Sequence, residues 1–190
     1  MDTTLMIVVV IAVVAVAAAL WYALQQRNRA RLRDRFGPEY ERAVETTGDT
    51  RQAERELARR EERVKKLELR PLEPAQRARF QEQWRRVQAR FVDSPVEAVR
   101  EADTVVTEVM QAEGYPTADF EQRTADISVD HPGVVENYRF ARAISLRNRS
   151  GEASTEDLRQ AMVHYRTLFE DLLSTRVTRS DKEVKVGRAS

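Results

Sequence analysis

Apolar residues are distributed along this chain in two ways. From Leu5 to Leu24 they run without a charge, a proline or a glycine, whereas beyond residue 74 they return every third or fourth position among charged side chains. The first pattern suits a helix that is apolar all round. At a rise of about 1.5 Å per residue the run spans roughly 30 Å, which matches a bilayer's hydrocarbon core. It predicts a transmembrane helix over residues 5–24 behind a short external amino terminus, residues 1–4. A secretory signal would place its basic residues before the apolar run. Here the leader Met1-Asp2-Thr3-Thr4 has no basic side chain and the arginines follow, so the segment is expected to be retained as an anchor.

The second pattern predicts amphipathic helices. Phe80, Trp84, Val87 and Phe91 form one stripe, with arginine and glutamine opposite. Ser94, Pro95 and Glu97 open another helix, which carries Val96, Val99, Val106, Val109 and Met110 and stops at Gly114. A short helix led by Asp119 and Phe120 follows. The next is expected to be capped near Asp130, with Pro132 in its first turn, and to bury Val134 or Val135, Tyr138, Ala141 and Ile144. A final helix places Leu158, Met162, Tyr165, Phe169 and Leu172 in register behind serine and threonine caps. No segment alternates as a strand would. The expected fold class is therefore all-α: an N-terminal transmembrane helix, a charged connecting helix and a small helical bundle over residues 71–173.

Between anchor and bundle, residues 25–70 are read as a basic juxtamembrane segment and a charged helix. Gly37 and Pro38 should interrupt the exit helix, Gly48 should end a short one, and Asp49 or Thr50 should cap a third that runs to the neighbourhood of Leu69. On it Ala53, Leu57, Val64 and Leu67 share a face that Arg60 interrupts, so no coiled coil is expected. Residues 174–190 lack a sustained apolar face and are expected to form a disordered basic tail.

Charge then orients the anchor. The chain is nearly neutral, with 32 basic and 31 acidic residues, but the charges are segregated. Arg27, Arg29, Arg31, Arg33 and Arg35 follow the apolar run directly, and arginines resist transfer through lipid. Trp21 and Tyr22 suit the headgroup level. Together these seven residues predict a membrane interface, with the amino terminus outside and the carboxyl-terminal domain in the cytoplasm. Each arginine near an anionic leaflet adds about 1 kcal/mol of attraction, but the ladder is read first as a topology signal. Ala15, Ala19 and Ala23 make a small-residue stripe through which two anchors could pair as a homodimer. The basic run has no interleaved aromatics and the bundle beyond it is acidic, 13 basic against 18 acidic side chains over residues 71–173, so no nucleic acid is expected as a partner.

Chemistry is sparse. The absence of cysteine removes disulfides, thiolate ligands and cysteine nucleophiles. The glycines form neither a dinucleotide fingerprint nor a Walker loop, and no serine lies in a nucleophile elbow. His131 and His164 lack a second ligand at helical spacing. Asp119, Glu121, Asp126 and Asp130 are the densest acidic cluster but lack the order of a calcium loop, and are read as solvated helix ends. Neither catalytic, cofactor-binding nor metal-binding residues are assigned, and no cofactor is expected.

The stretches RFGPEYERAVE, DFEQRTADISVDHPGVVENYR and GEASTEDLRQAMVHYRTLFEDLL resemble uncharacterised bacterial single-pass membrane proteins with the layout anchor, charged helix, helical domain. That resemblance implies a bacterial cytoplasmic membrane and brings no activity with it. Within these stretches His131, Asn137, Tyr138 and Arg139 are polar without a local explanation, and they are the candidate interaction or functional residues. The reading that follows is a membrane-anchored helical adaptor or scaffold that holds a protein partner. The alternatives are a ligand-binding or enzymatic bundle whose residues converge from several helices, and a structural oligomer.

Overall fold

The computed structural model describes residues 3–187, and the side chains of Ile7 and of residues 11–174. Among the described residues all eight elements are helices: α1 (Thr3–Phe36), α2 (Pro38–Thr47), α3 (Thr50–Lys65), α4 (Pro74–Arg90), α5 (Pro95–Glu113), α6 (Phe120–Asp130), α7 (Val135–Arg149) and α8 (Thr155–Gly187). Among the described residues there is no strand, as the patterning requires. The helices divide into two compact units, Met1–Ala58 and Arg59–Ser190.

In the first unit α1 carries the apolar run, the aromatic pair and the arginine ladder on one uninterrupted helix. It ends at Gly37, whose φ of 48° favours glycine, and Pro38 then takes the first position of α2. Gly48 closes α2 in the left-handed conformation, and the Asp49 carboxylate accepts from the Gln52 N–H at 2.9 Å to start α3. Leu32, Phe36, Tyr40, Ala43, Ala53 and Leu57 are buried. Buried Glu54 ties the three helices together: one carboxylate oxygen lies 2.9 Å from Arg29 Nε of α1 and accepts from the Tyr40 hydroxyl of α2 at 3.0 Å. Burial and the Glu54 charge both raise the Tyr40 phenol above its ordinary pKa.

The expected membrane span is the point at which sequence and structure differ. Among the described residues no helix is long and apolar enough to cross a membrane. The span from Leu5 to Leu24 opens in residues whose side chains, Ile7 apart, lie outside those described. From Ile11 to Leu24 the helix rises only about 21 Å before the glutamines and arginines begin, short of the roughly 30 Å hydrocarbon core. Ala15, Ala19 and Ala23 are exposed in this stretch. The tail expected to be disordered, residues 174–190, instead continues the backbone of α8 as far as Gly187, and its side chains from 175 onward lie outside those described.

In the second unit α5 packs against α4, α7 and α8, and α6 packs on α7. The core follows the predicted stripes: Phe80, Trp84 and Val87 of α4, Val99 and Val106 of α5, and Leu158, Tyr165 and Phe169 of α8 are buried. Each large apolar side chain removed from water contributes about 1.5–3 kcal/mol. Two boundaries and one cap differ from expectation. α3 ends at Lys65 because Lys66 N and Leu67 N bond the carbonyls three residues back, at 3.0 and 3.1 Å, which tightens and terminates the helix. Ser94 precedes α5 but makes no side-chain cap bond, whereas Glu73 and Gln76 form a reciprocal capping box on α4. Asp130 closes α6 and does not cap α7, which starts only at Val135 after a turn through Pro132.

Gly114 joins α5 to the segment that leads into α4. Its φ is 99°, and a β-carbon there would lie 2.7 Å from the backbone carbonyl oxygen of Glu68. Close by, Arg70 N donates to Glu113 O at 3.0 Å. Gly114→Ala should therefore cost about 2 kcal/mol, combining backbone strain with a displaced carbonyl. Gly133→Ala meets nothing within 4 Å and should leave the thermal midpoint close to wild type. Equal midpoints for both variants would refute this account of Gly114.

Candidate functional site

α4 and α8 are both amphipathic, and their packing leaves a surface groove along the line where they meet. Phe80 and Val87 enter the core, while Trp84 stacks on Phe169 with ring centroids 4.7 Å apart and planes inclined by 15°. This pair floors a cavity of about 440 Å³, flanked by Arg77, Gln81 and Arg85 on one side and by Glu170, Leu173 and Ser174 on the other. Gln88 also lines a second cavity of about 170 Å³, with Phe91, Met162 and Val163 between Arg159 and Arg166. The two share Gln88 along the α4–α8 groove, whose lining mixes aromatic and aliphatic side chains with polar ones. Four arginines line it against Glu170, the single acid among its lining residues. Trp84 is 5% exposed, and its indole N–H has no acceptor.

Behind α8 lies a buried polar network that the sequence did not reveal. Asp103 of α5 accepts from the Tyr165 hydroxyl of α8 at 3.0 Å and from Arg142 Nη1 of α7 at 2.5 Å, and Arg149 Nη2 lies 3.9 Å away. Arg123 of α6 donates to the Thr107 hydroxyl at 2.8 Å and lies 6.0 Å from the centre of the Tyr138 ring. Phe120 packs on the Tyr138 ring at 5.0 Å, with the Arg142 guanidinium over its own face. The hydroxyls of Tyr138 and Ser145 are buried and make no well-formed hydrogen bond, although Thr107 lies beside the first and Tyr165 beside the second. Burial chiefly, with Asp103 adding to it and Arg123 and Arg142 opposing, pushes Tyr138 up to about 12. Tyr165 is raised as well, by burial first and then by the Asp103 charge. The network joins four helices, and its neutral phenols suit structure better than proton transfer near neutral pH. A signal was present: Val99, Asp103, Val106 and Met110 share the α5 stripe, so an acid occupies an inward register position.

The four candidate residues do not converge. Tyr138 enters the network just described. Asn137, one residue earlier and about 100° around the helix, turns instead to α8, where its carbonyl oxygen lies 2.7 Å from His164 Nδ1 and the imidazole stacks on exposed Phe140. Arg139 pairs with Glu136 at 3.0 Å. His131 closes α6 and is buried, its Nδ1 2.5 Å from Asp171 of α8. With the carboxylate as acceptor Nδ1 carries the proton, and Nε2 has no partner. Among the described residues no group of three or more His, Asp or Glu side chains is placed to hold a metal ion. Asp126 corrects the reading of the acidic cluster: it is fully buried and bonds Arg63 Nε at 2.7 Å.

The seven predicted interface residues lie along α1. Trp21 and Tyr22 are 61% and 62% exposed. Alternate residues on a helix are separated by about 200°, so Arg29 and Arg33 fall on one side of α1 and Arg27, Arg31 and Arg35 on the other. The first pair does structural work as well as carrying charge. Arg29 meets Glu54, and Arg33 lies 3.1 Å from Glu41 and over the Tyr40 ring at 5.1 Å. On the second side Arg31 donates to Asn28 at 3.5 Å. No protein family matches the chain, and no curated protein or solved structure proves similar to it.

Proposed function

We propose that this chain is a membrane-anchored helical adaptor whose α4–α8 groove receives a protein partner. The observation that carries the reading is the groove itself. An aromatic floor and a rim of arginines and glutamines form the arrangement in which a helix or peptide buries apolar side chains and pairs its polar ones. The membrane part rests on the sequence: counted over every residue, Leu5 to Leu24 is uncharged, and the arginine ladder sets the amino terminus outside and the bundle in the cytoplasm. The resemblance to bacterial single-pass membrane proteins agrees with that placement. Pairing of two anchors through Ala15, Ala19 and Ala23 is compatible with the same role.

The test is site-specific photocrosslinking of the full-length chain in its native membranes. A photoreactive residue at Gln81 or Gln88, both on the groove rim, should trap one discrete protein. The same probe at exposed Thr104 of α5 should trap it at less than about a tenth of that yield, since only the groove is protected by an occupant. Equal labelling at all three positions, or none, sinks the groove as a docking site. Loss of the chain from the membrane pellet after a carbonate wash removes the anchor independently.

A further inference from the structure

A third cavity lies in the first unit, where the apolar half of α1 gives way to the arginine ladder. Its volume is about 160 Å³, and its walls are Trp21, Tyr22, Gln25, Gln26 and Arg29 of α1 with Arg51 from the first turn of α3. That volume equals about five waters, enough for one phosphate group and part of its solvation. We propose that this cavity binds the phosphate of an anionic phosphate ester, with Arg29 and Arg51 as its cations. For the source of that phosphate the inference rests on the anchor reading, which would place the cavity at the headgroup level.

The lining favours this ligand in three respects. It contains two guanidinium groups and no acid, so it attracts an anion. Arg29 is also positioned: its Nε lies 2.9 Å from the buried Glu54 carboxylate, which offsets part of its charge and leaves Arg51 as the principal cation. A neighbouring acid is committed elsewhere, because Asp49, two residues before Arg51, caps α3 by accepting from Gln52 N. The remaining walls are donors and rings. Gln26 Nε2 donates to the Tyr22 hydroxyl at 2.9 Å, tying together two of the cavity's lining side chains. Trp21 and Tyr22 are exposed amphipathic rings that suit the glycerol and carbonyl layer beside a headgroup. The ladder alone did not define such a site. It needed Arg51, which the chain brings back to Arg29 only through α2 and the turn at Gly48.

The full-length chain, purified in mild detergent with added phosphatidylglycerol or phosphatidylcholine, would be read by native mass spectrometry. Wild type should retain about one phosphatidylglycerol per chain, Arg51→Gln should lower that retention about tenfold, and Arg27→Gln, a ladder arginine outside the cavity, should change it less than twofold. Arg51 is exposed, so its replacement should leave helicity intact by circular dichroism. Arg29→Gln serves as a second variant, with its fold checked because it also meets Glu54. Equal losses in Arg27→Gln and Arg51→Gln would reduce the effect to unspecific surface charge and overturn the site, as would equal retention of the two lipids. A parallel titration with glycerol phosphate distinguishes the sources. Saturable binding that needs Arg51 identifies a soluble phosphate ester, even for a chain that fails the carbonate wash. Lipid retention without it identifies the membrane.

Discussion

Asp103→Ala should destabilise the second unit by about 3–5 kcal/mol, the cost typical of removing one partner from a buried charge pair. Asp103 has 15% of its side chain exposed and receives both Arg142 and the Tyr165 hydroxyl. Arg142 is only 20% exposed, so deleting the carboxylate leaves a mostly buried guanidinium and a fully buried phenol without their acceptor. Asp103→Asn keeps the shape and an acceptor oxygen but not the charge, and should fall between alanine and wild type. Thr104→Ala, one residue on and exposed, should stay within about 0.5 kcal/mol. Thermal unfolding of the full chain in detergent, followed by circular dichroism, measures all three. If Asp103→Ala melts with Thr104→Ala, the network contributes nothing to holding α5, α7 and α8 together.

The contrast between Asp103 and the residues around it explains what one sequence can reveal. The stripes on α4 and α8 were readable because a helix buries every third or fourth position, and Phe80, Trp84, Leu158, Tyr165 and Phe169 are all buried. Gly37, Gly48 and Gly114 were readable because each takes a positive φ. The partners of buried acids were not. Arg63 lies 63 residues from Asp126, and Tyr165 lies 62 from Asp103. Nothing local distinguishes those acids from solvated ones, apart from the inward register of Asp103. The groove was hidden for a related reason. Arg77, Gln81, Arg85 and Gln88 form an ordinary polar flank until α8 lies beside them, and the pairing of α4 with α8 is a tertiary fact. Pro132 misled in the opposite direction. A proline after an aspartate suggests a helix start, but His131 donates its N–H to Ile127 O at 2.8 Å and ends α6 there, so Pro132 lies in the turn before α7.

The buried phenols predict alkaline lability. Tyr138 is held at about 12 in the folded chain against the ordinary value of 10.0, so folding favours its neutral form. The sign follows from linkage: the contribution is complete below pH 10, where folded and unfolded phenols are both protonated, and is lost as the pH climbs toward 12 because only the unfolded phenol ionises freely. At 1.36 kcal/mol per unit, Tyr138 alone should remove about 3 kcal/mol of stability over that interval. Tyr165 is shifted in the same direction and should add to the loss. Lysines also titrate there, so the diagnostic quantity is the difference between variants and not the slope of wild type. Tyr138→Phe should flatten the fall in melting temperature between pH 10 and 12 while changing the midpoint at pH 7 little, since the buried hydroxyl it deletes makes no well-formed hydrogen bond. Tyr165→Phe should flatten it too but lower the midpoint at pH 7 by the loss of its bond to Asp103, about 1–2 kcal/mol. Phenolate absorbance provides the second readout, because the signal of these two rings should rise together with loss of helicity. A wild-type slope preserved in the double variant would mean that neither phenol is held neutral by the fold, and that the α5–α8 interface is open to hydroxide in the native state.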